Sequence, residues 1–165
     1  MKKMIMALMM VLPMSVFAQK FGHFDSAEVI QAMPEYTSAQ TELQTKMKTY
    51  EDELNRMKDE FQTKLDDYQK NEATLVDAVK ERRQQELQDL NQRLEEYYNN
   101  SQKDLQQLQQ QKMGELQQKL LKAVEDVGSE GGYVYIMDLS SGIPYISKTL
   151  STDVTPQVKA KLGLK

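Results

Sequence analysis

Few residues of this 165-residue chain have the types and spacing that chemistry requires. His23 is the single histidine, and the sequence groups no cysteine or second histidine around it that could complete a metal site, so we interpret it as a packed strand residue. The adjacent acids Asp66–Asp67 and Glu95–Glu96 could form acid–base pairs, but they are typical of a solvated helix surface. The sequence contains no glycine-rich phosphate loop and no nucleophile–base set. It therefore predicts a protein that is not an enzyme and that uses no metal or cofactor.

The N-terminal segment has the layout of a secretory signal peptide. A Lys-Lys start precedes the apolar run Met4–Leu12, and Ala18 supplies the small residue of a cleavage site. The alternative is a membrane-spanning helix, but Pro13 breaks the run short of the roughly 20 residues that a bilayer requires. We expect residues 1–18 to be removed on export, which leaves a chain that spans no membrane.

Cleavage makes the chain more acidic. It removes two lysines and no acid, which leaves 19 of the 21 basic residues against 25 acidic ones, a formal charge of −6. Such a charge repels nucleic acid phosphates, so we expect no nucleic acid partner. The chain has no cysteine, so no disulfide supports it in an oxidising compartment. Packing and self-association must then supply its stability.

The central sequence predicts two long helices. Between Pro34 and Gly128 there is no proline, and apolar residues recur every three or four positions, the spacing of a narrow seam between packed helices. The predicted seam residues are Tyr36, Ala39, Leu43, Met47, Tyr50, Leu54, Met57, Phe61, Leu65 and Tyr68 in the first helix, and Val76, Val79, Leu87, Leu90, Leu94, Tyr97, Leu105, Leu108, Leu116, Leu120, Val124 and Val127 in the second. Polar residues interrupt the second seam at Arg83, Ser101 and Lys112, which indicates loose pairing.

A turn near the middle of this region would fold the two helices into an antiparallel hairpin. Asn71 can end the first helix in a left-handed conformation, and Thr74 can cap the second, which places the tip at residues 70–73. The hairpin then forms an arm over residues 35–128. The alternative is one unbroken helix in a parallel coiled coil.

The two ends of the chain predict a small body. Residues 19–34 contain a strand, Lys20–Phe24, followed by a short helix that starts at Asp25. Residues 129–165 contain a predicted strand hairpin, Tyr133–Asp138 with Ile143–Ser147, and a last helix that starts at Thr155-Pro156. The predicted fold class is α+β, mainly α: a long antiparallel helical hairpin (a coiled-coil arm) on a small β-sheet body. A sheet of three short strands needs a partner to cover its apolar side, so we expect this body to oligomerise. The residues assigned to this contact are Phe21, Phe24, Tyr133, Tyr135, Ile136, Ile143 and Tyr145.

Five residues of the arm are candidates for binding a partner chain. Tyr97 and Tyr98 are adjacent on a helix and point in different directions, so at least one of them lies outside the seam. Leu75 and Val76 are hard to bury inside a two-helix turn, and Tyr68 lies close to that turn. Aromatic stripes at helical spacing are more often seam packing than binding surface, and that interpretation remains the alternative.

Two short motifs follow the hairpin: Gly-Tyr-x-Tyr-Ile-x-Asp and Asp-Val-Thr-x-x-Val. Their residues are Gly132, Tyr133, Tyr135, Ile136 and Asp138, then Asp153, Val154, Thr155 and Val158, with Leu162 beyond. With the signal peptide, the first strand ending in Asp and the hairpin, this order resembles the OmpH-like (Skp) family of periplasmic chaperones. The resemblance covers the whole mature chain.

The resemblance implies a homotrimer in which three arms on a β-rich body enclose a cavity for unfolded outer-membrane proteins, without ATP. The best-known members are basic and attract lipopolysaccharide, whereas this chain is acidic. Its nearest basic cluster is Lys80, Arg82 and Arg83, diluted by Glu81 and Glu86. A lipopolysaccharide site therefore does not carry over. The predicted function is a periplasmic holdase chaperone; the alternative is a structural spacer or adaptor whose hairpin tip docks a folded partner.

Overall fold

The structure is a computed structural model that describes residues 19–164. The predicted signal peptide, residues 1–18, lies outside the described part. In chain order the elements are β1 (Lys20–Phe24), α1 (Ser26–Ala32), α2 (Pro34–Asn71), α3 (Asp77–Gly131), β2 (Tyr133–Asp138), β3 (Ser151–Asp153) and α4 (Thr155–Lys161). The predicted fold class is confirmed, because α2 and α3 form a long hairpin and the two ends of the chain meet in a three-stranded sheet.

Local residue types explain where α1 and α2 begin and where α3 ends. The Asp25 carboxylate accepts the backbone N–H of Glu28 at 3.0 Å, as the sequence predicts for the start of α1. Met33 is extended, and Pro34 opens α2 at a position where its missing N–H removes no helical hydrogen bond. Where the hairpin returns to the body, Gly132 has φ +66°, so it ends α3 in the left-handed conformation that glycine favours.

The turn at the tip of the arm differs from the prediction. Asn71 has φ −106° and ψ −6°, which is right-handed, and its side-chain amide donates to the Asp67 carbonyl instead of ending the helix. The chain continues through a 3-10 turn at Glu72–Thr74 and reverses at Leu75 and Val76, both extended. The tip therefore lies a few residues later than residues 70–73. The predicted Thr74 cap is wrong, because its hydroxyl donates to the Asn71 carbonyl and α3 begins without a side-chain cap.

The sheet is parallel, with β1 between β2 and β3. The predicted strand hairpin is therefore wrong: Ile143–Ser147 lies in a loop outside the sheet, and the strand forms later, at Ser151–Asp153. Pro144 has no N–H to donate to a ladder, which disfavours pairing at that point. Ser147 also turns the chain, because its carbonyl accepts the N–H of Ser151 and its hydroxyl accepts the N–H of Leu150.

The body core forms where the sheet meets the helices. Its fully buried side chains include Val29 of α1, Val154 and Val158, each with 0% exposure, and they surround Phe24 of β1. The base of α3 contributes Leu120, Ala123 and Val127 to the same cluster. This core joins residues near the start of the described chain to residues near its end. The two ends of the sequence and the base of the arm therefore form one packed unit.

Candidate functional site

The two faces of the sheet have different surroundings. Phe24 of β1 points into the helical core, whereas Phe21 and His23 point to the opposite side, which we call the outer face. The strand register places Tyr135 of β2 and Ser151 of β3 on either side of Phe21. The rings of Phe21 and Tyr135 stack with centroids 4.8 Å apart. The outer face is therefore aromatic at its centre, and within residues 19–164 the pocket along it is lined by strand and loop residues rather than by a helix.

A pocket of about 400 Å³ lies between the outer face and the loop at residues 142–150. It is lined by Phe21, Gly22, Tyr135, Met137, Ile143, Tyr145, Ile146, Ser147, Leu150 and Ser151. None of these residues is charged, although 28% of the chain is. Depletion of charge among aromatic and aliphatic side chains is the composition of the core of a protein–protein interface.

Exposed apolar side chains concentrate around the same pocket. Four large apolar residues that line it are also exposed: Tyr135, Met137, Tyr145 and Leu150. Val134 and Leu139 are exposed on the same segment but do not line the pocket. Tyr145 and Leu150 are 78% and 76% exposed, more than any large apolar side chain of the arm in the described structure. A contiguous apolar patch of this kind marks an interaction surface.

The residues predicted for oligomerisation divide into two groups. Phe21, Tyr135, Ile143 and Tyr145 line the pocket. Phe24 is only 4% exposed and belongs to the core of its own chain, and Tyr133 and Ile136 pack partly against that core. Sequence reasoning missed Met137, Ile146 and Leu150. The alternation of β2 could have identified Met137, two residues after Tyr135, whereas the erroneous strand at residues 143–147 concealed the other two.

The arm has a narrow seam with one polar layer in its middle. Leu90, Leu116 and Leu120 are each 3% exposed or less, but the predicted seam residue Met47 is 54% exposed. Lys46 lies toward α3 in its place, and its Nζ lies 2.6 Å from Oδ2 of Asp104. Seam positions are three or four residues apart, so both position 46 and position 47 could lie in the seam. The prediction selected Met47 because it is the apolar one of the two.

Four side chains form this polar layer. The Tyr50 hydroxyl donates to Asp104, and the Tyr50 ring meets the Tyr97 ring edge-on with centroids 5.9 Å apart. The hydrogen bond from Lys46 is the largest cause that holds the pKa of Asp104 below its ordinary value, followed by that from Tyr50. The same carboxylate raises the pKa of Lys46 and of Tyr50. The layer links the two helices electrostatically at mid-arm.

The polar interruptions of the second seam make specific contacts. Lys112 Nζ lies 2.7 Å from Glu42 Oε2, and Arg83 lies 3.9 Å from Asp67, so both bridge α3 to α2. Glu42 raises the pKa of Lys112 through this hydrogen bond. Ser101 is 4% exposed, and its hydroxyl donates to a carbonyl of its own helix. The interruptions therefore contain cross-helix polar links and one small side chain that allows close approach.

The predicted client-binding residues differ in accessibility. Tyr68 is 9% exposed, and its hydroxyl accepts a hydrogen bond from Gln84 of the other helix, so its ring belongs to the seam. Tyr97 is half-buried against Tyr50 and Leu75 is half-buried at the tip, whereas Tyr98 is 50% and Val76 67% exposed. Tyr98 and Val76 are thus the two candidates whose side chains face solvent, one at mid-arm and one at the tip.

Within residues 19–164, no group of three or more His, Cys, Asp or Glu side chains lies close enough together to hold a metal ion. None of the helices in this range is both long and apolar enough to cross a membrane. What the described residues do offer is a long polar arm with separated exposed apolar residues, on a body with an uncovered apolar face. This is the architecture of a protein that binds other chains over extended surfaces.

Comparisons with known proteins agree with that class. Residues 20–162 match the family described as Outer membrane protein (OmpH-like). Over 147 residues the chain is 24% identical to the chaperone protein Skp of Yersinia enterocolitica, which covers 88% of this chain and 89% of that one. Its fold is similar to that of an OmpH-like protein from Caulobacter crescentus CB15, with a TM-score of 0.75 and 15% identity over 87% of this chain and 83% of that one.

The family match extends over most of the chain, so this protein belongs to the OmpH-like family. The family consists of chaperones and not of enzymes, in agreement with the sequence-based prediction.

Proposed function

We propose that this protein is an ATP-independent periplasmic holdase. It binds unfolded outer-membrane proteins between helical arms and prevents their aggregation before they insert into the membrane. The observation that carries the proposal is the distribution of exposed apolar side chains. They form one uncharged patch on the body, around Tyr145 and Leu150, but are widely separated along the arm, as at Val76 and Tyr98.

The patch on the body fits association with further copies of the chain. A three-stranded sheet with one open apolar face is a poor surface to leave in water, and the uncharged lining of its pocket is suited to another apolar surface. The family resemblance supports a homotrimer, in which the arms would project from one joined body and bound a cavity. Tyr145 and Leu150 of one protomer would then pack against the outer face of the next.

The separated residues on the arms fit weak and repeated contact with a client. A single exposed tyrosine binds an unfolded chain poorly, but several arms around one cavity hold it at high effective concentration. Binding the unfolded state suppresses aggregation without folding the client. Release follows when the client folds into the membrane, so no nucleotide is needed.

The experiment dilutes a urea-unfolded outer-membrane barrel protein into buffer that contains the mature chain, and light scattering reports aggregation. We expect suppression near one oligomer per client. Tyr98→Ser should raise the concentration needed for half-suppression by about two- to threefold, since it removes one of several weak contacts per arm. Asn99→Ser, at the next position of the same helix, is the matched control and should behave as wild type. Unchanged scattering with the wild-type chain would refute the holdase proposal.

Assembly is tested by the mass of the mature chain in solution. Sedimentation velocity should give an oligomer, with three protomers as the expected number. A double variant, Tyr145→Ser with Leu150→Ser, should shift the distribution of oligomeric states toward single protomers, because it removes two exposed apolar side chains from the uncharged patch. These residues lie outside the packed core, so circular dichroism of the variant should remain helical. A monomeric wild-type chain would leave no cavity between arms.

One observation favours the second candidate function, a spacer or adaptor that docks a folded partner. Val76 is 67% exposed at the tip, beside the half-buried Leu75, which gives the tip a small apolar end. Pulldowns from folded and from denatured envelope extracts separate the two functions. An adaptor would capture one folded protein and lose it in Val76→Asp, whereas a holdase would retain denatured proteins with either chain.

A further inference from the structure

A second apolar pocket, which we call the basal pocket, lies at the base of the arm among residues of α1, α3 and β2. Its volume is about 380 Å³. Asp138 lines it, but its Oδ1 atom already accepts the backbone N–H groups of Ser26 at 3.2 Å and Ser140 at 3.0 Å. The basal pocket therefore presents an apolar wall, and its carboxylate is engaged by the backbone. The apolar lining consists of Phe24, Ile30, Leu120, Leu121, Val124 and Ile136.

The basal pocket and the outer face lie on opposite sides of the sheet. Successive strand residues point to opposite sides, so Phe24 and Ile136 line the basal pocket while Phe21 and Tyr135 line the outer one. A protomer that packs on the outer face would therefore leave the basal pocket uncovered by that contact. The pocket lies where a client held along the arm would reach the body.

A ridge of α3 runs from the arm to the rim of the basal pocket. Gln109, Met113, Gln117 and Leu121 follow one another at four-residue steps, so amide and apolar side chains alternate along it. Gln117 and Leu121 line the pocket itself, and Leu121 is 65% exposed. The ridge thus extends the apolar pocket by an uncharged strip about 18 Å long.

Within residues 19–164, the amides of this ridge have no hydrogen-bond partner, unlike amides farther along the arm. Gln62, Gln85 and Gln92 each donate to an Asp carboxylate or a Glu carboxylate one turn on, at 2.7, 2.7 and 2.8 Å. Gln109 and Gln117 make no such bond in this part of the chain. An amide offers two donors and one acceptor, which can pair with the C=O and N–H of a peptide backbone. The ridge therefore presents backbone-binding groups between apolar side chains.

We propose that the ridge and the basal pocket bind one strand-forming segment of a client in an extended conformation. The proposal rests on the proposed holdase function and names the part of the client that this site accepts. Four-residue steps on a helix are about 6 Å apart, close to the roughly 6.7 Å between side chains on one face of an extended strand. Apolar side chains on that face pack against Met113, Leu121 and the pocket, and Gln109 and Gln117 bond to the backbone.

The chemistry of the site favours this kind of segment over others. A strand of an outer-membrane barrel alternates apolar and polar side chains over about 10 residues. A charged segment would lose its hydration in the basal pocket without gaining a free counter-charge, since Asp138 is engaged. A helical segment has its backbone groups already bonded to one another, so it would leave the two glutamines without partners. An unfolded barrel strand meets both requirements.

The test measures binding of a fluorescent peptide to the mature chain by fluorescence anisotropy. The probe has about 10 residues in which leucine and threonine alternate, and the comparison peptide has the same composition with its leucines in one block. We expect the alternating peptide to bind at least about threefold more tightly, because it places all its apolar side chains on one face of a strand. Equal affinity of the two peptides would overturn the proposal.

Three single variants locate the site. Leu121→Asp should raise the dissociation constant of the alternating peptide by about fivefold or more, because it places a carboxylate at the apolar rim. Gln117→Glu should raise it by about threefold, because the carboxylate has lost both amide donors. Gln118→Glu, one position farther and outside the pocket lining, is the matched control and should change it by less than about twofold. All three side chains are exposed, so circular dichroism of each variant should match wild type.

The outcomes separate this inference from the holdase proposal. A wild-type chain that leaves the aggregation of an unfolded barrel unchanged would overturn the holdase, and with it the client for which this site is proposed. A wild-type chain that prevents aggregation, while Leu121→Asp and Gln117→Glu bind the alternating peptide equally well, would overturn only the site. Sedimentation of Leu121→Asp tests the other occupant: if this variant loses the oligomer, a second copy of the chain covers the basal pocket and the proposal is wrong.

Discussion

The arm and the body bury their apolar side chains in different ways. Along the arm, α2 and α3 contact one another through a single row, so residues such as Leu90 are buried while most neighbours of the row are exposed. In the body, Val29, Val154 and Val158 are completely buried by elements from both ends of the chain. The arm therefore depends on contacts repeated along a line, and the body on one compact cluster. Damage to the arm should remain local, whereas damage to the body should release several elements together.

Phe24→Ala is the change that should most damage the body. The ring is 4% exposed at the centre of the core cluster, and truncation of a buried phenylalanine costs about 3–5 kcal/mol. Urea unfolding followed by circular dichroism should show this loss in the free energy of unfolding. Tyr98→Ala, which removes an aromatic ring that is 50% exposed on the arm, is the matched control and should cost far less. Equal losses in the two variants would contradict the distinction between body and arm.

Leu90→Ala tests the seam of the arm. Leu90 is 2% exposed, and truncation of a buried leucine costs about 2–5 kcal/mol, with the lower end expected because a two-helix seam can relax. The loss should be confined to the arm. Hydrogen exchange of amides on either side of position 90 should accelerate, while that of β1 and α4 should not change. Met47→Ala, at a side chain that is 54% exposed, should leave both regions protected. Faster exchange in β1 would show that arm and body unfold together.

The arm was predictable from sequence because its contacts follow a local period. The three- and four-residue spacing identified both helices and most of the seam. It could not assign Lys46 to the seam, because that lysine lies there through Asp104, which is distant in sequence and belongs to the other helix. The tip was misplaced for a related reason. Asn71 has the residue type of a left-handed helix end, but its side-chain amide donates to the Asp67 carbonyl one turn back and its backbone stays right-handed, so the chain passes into a 3-10 turn before it reverses.

The body was harder to predict because its pairing joins distant parts of the chain. Nothing in the polar triplet Ser151–Asp153 indicates a strand; it becomes one by aligning with β1, about 130 residues earlier. The apolar segment Ile143–Ser147 has stronger strand propensity but contains Pro144. On the outer face, residue type was enough to identify Tyr135, whereas Leu150 required knowledge of which face the loop covers.

Asp104→Asn tests the polar layer through its pH dependence. Lys46 and Tyr50 hold the pKa of Asp104 below its ordinary value, so the stabilisation is complete above about pH 4 and is lost as the pH falls through the lowered value. The variant should unfold at lower urea concentration than wild type at pH 7, by less than Leu90→Ala does. The difference between the two chains should shrink as the pH falls below about 4 and wild type begins to lose the Asp104 charge as well. A difference that stays constant after the Asp104 carboxylate has been protonated, as followed by NMR of its side-chain carbon, would show that the Asp104 charge has no part in joining the helices.

The smallest predicted effects come from replacing glycine with alanine at two positions of α3. A Cβ at Gly114 meets no atom within 4 Å, so Gly114→Ala should raise the free energy of unfolding by about 0.5–1 kcal/mol, the helical advantage of alanine over glycine. A Cβ at Gly131 would collide with the ring of Tyr133, which packs against the body core, so Gly131→Ala should be destabilising. Both variants are measured by urea unfolding against wild type. Opposite signs would confirm that the same helix is loosely surrounded in the arm and tightly packed where it enters the body, whereas stabilisation by both would show that the Tyr133 ring moves aside at little cost.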